Sequence, residues 1–163
     1  PADLPDADAA ADFYLYAVRR LEEEGYPQYE ISNFARPKHR GRHNLLYWDC
    51  QDYLGIGPAA HSCMEGVRRF WPAGPGAVDA FIAGTLTEEV EGVYLMLRLR
   101  LRDGLDLAQY AERFGGQFTS AQFAFVRHCV SAGYAEFDGR VLRLTPEGLI
   151  VQNSILAELL PED

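Results

Sequence analysis

The sequence predicts an α/β segment followed by a helical α+β module of winged-helix type. Two observations carry this. The first 34 residues read as one long amphipathic helix running directly into an aromatic, alternating strand, which is half of a repeat of the kind that ends an α/β sheet or barrel. After residue 86, three helical stretches are followed by a hairpin signal and a last helix. The expected division is therefore 1–85 and 86–163.

The elements follow in order. LPDADAAADFYLYAVRRLEEEG opens on Asp and Pro and stops at Gly25, with Ala10, Phe13, Tyr14, Ala17, Val18 and Leu21 at helical spacing. YPQYEISNF (26–34) reads as a strand. ARPKHRGR is a loop by its Pro, Gly and charge, and HNLLYW a short strand or a turn. DYLGIGPAAHS reads as a buried strand entering a Gly/Pro turn, GVRRFW as another strand, and GPGAVDAFIAG as a short helix stopped by Gly84. In TEEVEGVYLMLRLRLRDG the Thr with acids behind it suggests a capped helix start. Val90, Tyr94, Leu97 and Leu101 keep helical spacing there, although the LRLRLR tail also alternates as a strand would. DLAQYAERFG is a helix ending at Gly115, and TSAQFAFVRHCVSAG one capped by Thr119 and stopped by Gly133. YAEFDGRVLRLT is a hairpin around Asp138-Gly139, and TPEGLIVQNSILAELL closes the chain as a helix.

Composition narrows the function. A chain of 163 residues with net charge −9 is poorly suited to a phosphate backbone, because nucleic-acid affinity comes largely from neutralising phosphates with Lys and Arg. The helix that would read DNA in a winged helix, 119–132, offers only Arg127 and His128, so no nucleic-acid partner is expected. No apolar run reaches the ~20 residues a membrane span needs. Cys50, Cys63 and Cys129 are widely spaced and form no CxxC, CxxxCxxC or CxxCH pattern, so no metal set is expected from them. They read as reduced thiols of a cytoplasmic protein. A first residue of Pro1 rather than Met reads as a fragment. Within this acidic chain, Arg36, Lys38, Arg40 and Arg42, with His39 and His43, form a basic island free of acids between Glu30 and Asp49. It is either a solvated loop or a docking surface for a carboxylate-bearing ligand.

At YEISNFA, at HNLLYW (His43 to Trp48) and at YLGIGPAAHS (Tyr53 to Ser62) the sequence resembles the radical S-adenosylmethionine proteins related to oxygen-independent coproporphyrinogen III oxidase. Within that group it is closer to the haem-chaperone branch, HemW. The C-terminal LRLRDGLDL, FG and GYAEFDGRVLRLTPEGL are similar to the accessory domain of the same family, so the resemblance spans nearly the whole chain. It implies that 1–85 is the last part of a partial (β/α) barrel with its sheet extension, and 86–163 a HemN-type winged-helix-like domain. It further implies a [4Fe–4S] cluster and S-adenosylmethionine in the full-length protein. The CxxxCxxC loop that ligates the cluster is not in this sequence, so the fragment itself is expected to be non-catalytic.

The resemblance implies a haem role for HNLLYW, with His43, Asn44, Tyr47 and Trp48 as haem candidates and His43 as a possible iron ligand. An imidazole is the usual protein ligand to haem iron, and Tyr and Trp offer flat apolar faces. Arg36, Arg40 and Arg42 are candidates for pairing with propionates, of haem or of a porphyrinogen. Gly55, Gly57, Ala60 and His61 fall on the S-adenosylmethionine side of the intact protein. Plainer readings stand beside these. His43 could serve only a structural hydrogen bond, His61 a supporting one, His39 could be solvated, and Trp48 and Trp71 could be core aromatics. Cys50 and Cys63 could ligate haem, but as isolated thiols without a cationic neighbour they are expected to be inert. Three functions follow: haem binding and delivery to haem-accepting proteins; oxidative decarboxylation of coproporphyrinogen III; or a non-catalytic module that packs on a partner.

Overall fold

The computed structural model describes residues 4–74, 76–84, 86–88 and 90–160. In chain order the elements are α1 (Ala7–Glu23), β1 (Gln28–Glu30), β2 (Asn33–Phe34), α2 (Arg42–Trp48), β3 (His61–Met64), β4 (Val67–Phe70), α3 (Ala77–Ala83), β5 (Leu86–Glu88), α4 (Val90–Arg98), β6 (Leu105–Asp106), α5 (Leu107–Phe114), α6 (Ser120–Ser131), β7 (Ala135–Phe137), β8 (Val141–Leu144), α7 (Pro146–Ile150) and α8 (Gln152–Leu159). They form two compact units. One joins residues 1–41 to 98–163, and the other is 42–97. Packing thus groups the chain differently from the division at 85/86 expected from sequence, because α1 packs with α7 and β1 inside the first unit.

In that first unit, α1 starts at Asp6, whose carboxylate accepts from the Ala9 N–H at 2.8 Å. It buries Val18. The single strand expected over 26–34 is instead two short antiparallel strands, β1 and β2. The cause is Glu30, which is wholly buried. Its carboxylate accepts from the Ser32 N–H at 3.3 Å and from the Asn33 side chain, folding the chain back on itself.

Helical spacing also carries the expectation too far at Leu101. Helix α4 ends at Arg98, and Leu99 and Leu101 are buried beyond it, with Leu101 in an antiparallel bridge to Glu30. The alternation of LRLRLR therefore wins after the helix ends. Thr87 lies in β5 opposite Arg69, and α4 starts only at Val90.

The remaining C-terminal elements follow the sequence closely. Thr119 and Gln122 form a reciprocal capping box on α6. The hairpin of β7 and β8 turns at Asp138-Gly139, and β8 lies between β6 and β7 in an antiparallel sheet. The Asp138 carboxylate accepts from the N–H groups of Arg140 and Val141 at 2.9 and 2.7 Å and pairs with Arg143 at 3.0 Å. These bonds hold its pKa down to about 2. The expected last helix is broken at Val151 into α7 and α8. Leu105, Val126, Leu142, Leu144, Leu149, Ile155 and Leu159 are buried in the interior of this unit.

In the second unit, HNLLYW is a helix, α2, and neither strand nor turn. The segment contains no β-branched residue, which leaves helix open to it. Its stop is unusual. Cys50 has φ 48°, with its N–H donating to the Tyr47 carbonyl and the Gln51 N–H to the Leu46 carbonyl, the Schellman pattern that most often uses glycine. The next segment, DYLGIGPAAHS, is not a continuous buried strand either. Tyr53 makes an isolated antiparallel bridge to Cys63, and β3 begins only at His61. Between them Leu54 and Ile56 are 68% and 77% exposed. β3, β4 and β5 form an antiparallel sheet, with His61 opposite Phe70.

Among the described residues no helix is long and apolar enough to cross a membrane.

Candidate functional site

Helix α2 places His43 and Tyr47 one turn apart on the same face. His43 is exposed and Tyr47 half-buried. Their rings meet edge to face with centroids 5.0 Å apart and planes at 85°, and the Tyr47 hydroxyl lies 3.1 Å from His43 Nε2. Tyr47 in turn meets Tyr53 edge to face at 4.7 Å and 79°. Tyr53 is fixed by its backbone, whose N–H donates to the Cys63 carbonyl at 2.8 Å and whose carbonyl accepts from the Cys63 N–H at 2.9 Å. The result is a ladder of three rings, with the imidazole at its solvent end and β3 anchoring the other.

Trp48 and Asn44 are half-buried on the same short helix. The sequence reading does not place Tyr53 in this group. A buried strand running from Asp52 into the Gly/Pro turn of DYLGIGPAAHS gives it no reason to meet Tyr47, whereas reading HNLLYW as a helix pairs His43 with Tyr47 at i, i+4.

The glycine-rich segment is held tightly. The Gly55 N–H donates to the Ser62 hydroxyl at 3.0 Å, and the Gly55 carbonyl accepts from Trp71 Nε1 at 3.1 Å. A Cβ at Gly55 would run into the His61 carbonyl, so this position needs glycine for close approach. Gly57 takes φ 103° and Ala59 φ 61°. The Ala60 N–H donates to the Gly57 carbonyl at 3.1 Å. His61 is exposed at the start of β3 and packs on Phe70 with ring centroids 5.5 Å apart. Trp71 is used structurally, its ring 4.2 Å from that of Phe81.

The arginines divide between the units. Arg42 opens α2 beside His43. In the other unit, Arg36 lies over the Tyr26 ring at 4.9 Å, and Arg40 pairs with Asp103 at 2.5 Å and sits 5.8 Å from the Tyr29 ring. His39 is exposed, its Nδ1 3.0 Å from the Pro37 carbonyl oxygen.

A haem fits the donor set of α2, since one exposed imidazole stands at the end of an aromatic ladder. An iron–sulfur cluster does not fit. All three cysteines are buried thiols, Cys63 donates to the Cys50 carbonyl at 3.6 Å, and burial pushes the Cys129 thiol pKa up, away from the thiolate that ligates iron. Among the described residues no group of three or more His, Cys, Asp or Glu side chains is placed to hold a metal ion.

Comparison with known sequences finds a match over residues 94–151 to the HemN C-terminal domain. That stretch, about a third of the chain, is similar to the HemN C-terminal domain. Beyond it, the chain is 33% identical over 97% of its length to mouse "Radical S-adenosyl methionine domain-containing protein 1, mitochondrial", covering 40% of that protein. It is 32% identical over 96% of its length to "Heme chaperone HemW" of Mycobacterium tuberculosis strain H37Rv, covering 40%, and 27% identical over 98% to that of Lactococcus lactis, covering 44%. The chain spans about two fifths of the length of these relatives.

Among solved structures it matches "Coproporphyrinogen III oxidase (HemN) from Escherichia coli is a Radical SAM enzyme" with a TM-score of 0.64 at 15% identity, over 97% of this chain and 42% of that one. The fold is shared: helices with small sheets leading into the stretch that is similar to the HemN C-terminal domain. The resemblance read from YEISNFA, HNLLYW and YLGIGPAAHS is matched by the relatives that span nearly the whole chain, and that read from the C-terminal stretch by the HemN C-terminal domain.

Proposed function

We propose that this chain is the haem-handling portion of a longer radical S-adenosylmethionine protein of the HemW kind, which binds haem and passes it to accepting proteins. The observation that carries the proposal is the exposed His43 imidazole at the end of the Tyr47–Tyr53 ladder. His43 ligates the iron, and the aromatic residues of HNLLYW, Tyr47 and Trp48, cover part of the porphyrin, with Asn44 beside them. Arg42, next to His43 on α2, is the propionate partner. The longer protein supplies the [4Fe–4S] cluster and S-adenosylmethionine, and Gly55, Gly57, Ala60 and His61 lie toward that cofactor.

Ferric haem titration of the longer protein tests this. His43→Ala should shift or abolish the Soret band with the fold intact by circular dichroism, while His39→Ala should do little. An unchanged spectrum and affinity in His43→Ala would return His43 to a purely structural part.

A second reading is oxidative decarboxylation of coproporphyrinogen III, favoured by the fold shared with the Escherichia coli enzyme. Turnover of coproporphyrinogen III by the longer protein, with no haem retained, would select it.

A further inference from the structure

The haem reading leaves unexplained why the iron-facing nitrogen of His43 already has a partner. Of the two ring nitrogens, Nδ1 adjoins the carbon that carries Cβ, so a porphyrin approaching it meets the side chain's own stem. Nε2 is the open one. It is also the one that lies 3.1 Å from the Tyr47 hydroxyl.

We propose that Tyr47 is a positioning residue that caps His43 Nε2 and sets how readily this site takes and gives up haem. The inference rests on the haem reading above and concerns the regulation of that same site.

The geometry supports a cap that stays in place. Tyr47 is steadied from behind by Tyr53, at 4.7 Å and 79°, and Tyr53 is pinned to Cys63 through two backbone hydrogen bonds. His43 has its exposed position at the end of the ladder. When the imidazole turns to a ligand, the phenol therefore remains where the imidazole left it, ready to receive it on its return. In the capped state the phenol O–H donates to the Nε2 lone pair, and the imidazole proton is on Nδ1.

Ligand entry is then an exchange without redox change or net proton transfer. The O–H···N hydrogen bond would break, the Nε2 lone pair would become free to ligate a haem iron, and the hydroxyl would turn to water. On release the steps reverse. A carrier needs such a competitor, because a ligand that holds haem without opposition also holds it against the acceptor. The apparent affinity is the intrinsic affinity multiplied by the fraction of molecules that are uncapped.

The test uses the chain with ferric haem as the probe and has a readout that needs no haem. In the haem-free, 15N-labelled chain, NMR should show His43 as the Nδ1–H tautomer with Nε2 accepting a hydrogen bond, and Tyr47→Phe should remove that bond while leaving the fold intact. Tyr47→Phe should then bind ferric haem about two- to tenfold more tightly, the equilibrium worth of one hydrogen bond, with the Soret band unmoved. His43→Ala should lose the band in both backgrounds.

A proton on Nε2 in the wild-type chain would overturn the cap without any variant. So would equal or weaker haem affinity in Tyr47→Phe, and if His43→Ala still lost the band, haem ligation would stand while the cap fell. A spectrum unchanged in His43→Ala would end both.

Discussion

Helices α6 and α2 end in the same way, yet only α6 is legible in the sequence. After α6, Gly133 takes φ 80°, its N–H donating to the Val130 carbonyl and the Tyr134 N–H to the Cys129 carbonyl. After α2 the same two bonds form around Cys50 at φ 48°. The hydrogen-bond pattern is the same, but only one of the two residues announces it. A left-handed stop is easy for glycine and costs an ordinary residue about 1–2 kcal/mol, so sequence reading looks for glycine and finds it at 133. At 50 it finds a cysteine whose side chain is buried, and burial offsets the strain. The start of each helix repeats the lesson. Thr119 supplies a capping box to α6, whereas the residue before α2 is Gly41, which has no side chain to cap with.

The largest losses are expected at two glycines with no room for a side chain. A Cβ at Gly148 would collide with the Tyr134 carbonyl, and one at Gly55 with the His61 carbonyl. Gly148→Ala and Gly55→Ala should each lose about 3 kcal/mol through forced backbone shifts. Hydrogen exchange should place the first loss in the unit that contains α6 and the second in the unit that contains α2. Loss of protection in both units from either variant would show that they do not unfold separately.

A smaller effect separates the two stops themselves. Gly133→Ala should cost about 1 kcal/mol, because alanine must now hold a left-handed conformation. Cys50→Gly relieves that strain while giving up a buried side chain, so its net change in urea denaturation should stay within about 0.5 kcal/mol of zero. A loss in Cys50→Gly as large as that of Gly133→Ala would mean that packing, not helix termination, dictates the residue at 50.

At the helix start, Thr119→Ala should cost about 1 kcal/mol, measured by thermal or urea denaturation. Thr119→Ser should restore most of it.

The smallest effect is electrostatic. Asp138 is exposed, and its pKa is held down to about 2 first by the Val141 N–H, then by the Arg140 N–H and Arg143. A carboxylate depressed in the folded state stabilises fully above its unfolded pKa and ceases to do so as pH falls through the folded value. The hairpin's added stability should therefore be complete above about pH 4 and fade towards about pH 2. An NMR titration should find the Asp138 carboxyl changing near 2, and Asp138→Asn should remove that part of the acid dependence. Titration of Asp138 near the ordinary aspartate value of about 4 would show the bonds to be absent in solution.

Legibility follows the same physics. From Leu107 onward, caps, glycine stops and the Asp-Gly turn are local signals, and each element there matches its sequence reading except for the break at Val151. Between Tyr26 and Ser62 the deciding interactions carry no such signal. A buried Glu30 folds the expected strand into a hairpin, a cysteine stops α2, and a single bridge from Tyr53 to Cys63 replaces a strand. The site shows both behaviours. The HNLLYW motif points to His43 and Tyr47, but their hydrogen bond and the contribution of Tyr53 follow only once 42–48 is helical.

The first compact unit is assembled from two stretches of chain that the second unit interrupts. Its α1 packs on α7, which lies far downstream. During synthesis the ribosome needs roughly 6–25 s to travel from the end of one to the start of the other. Throughout that interval α1 has no C-terminal partner, while the second unit, being continuous, can close as soon as it emerges. Phe13 and Tyr16, exposed aromatic residues of α1, therefore belong to a nascent helix that must wait for the last part of the chain before its unit can form.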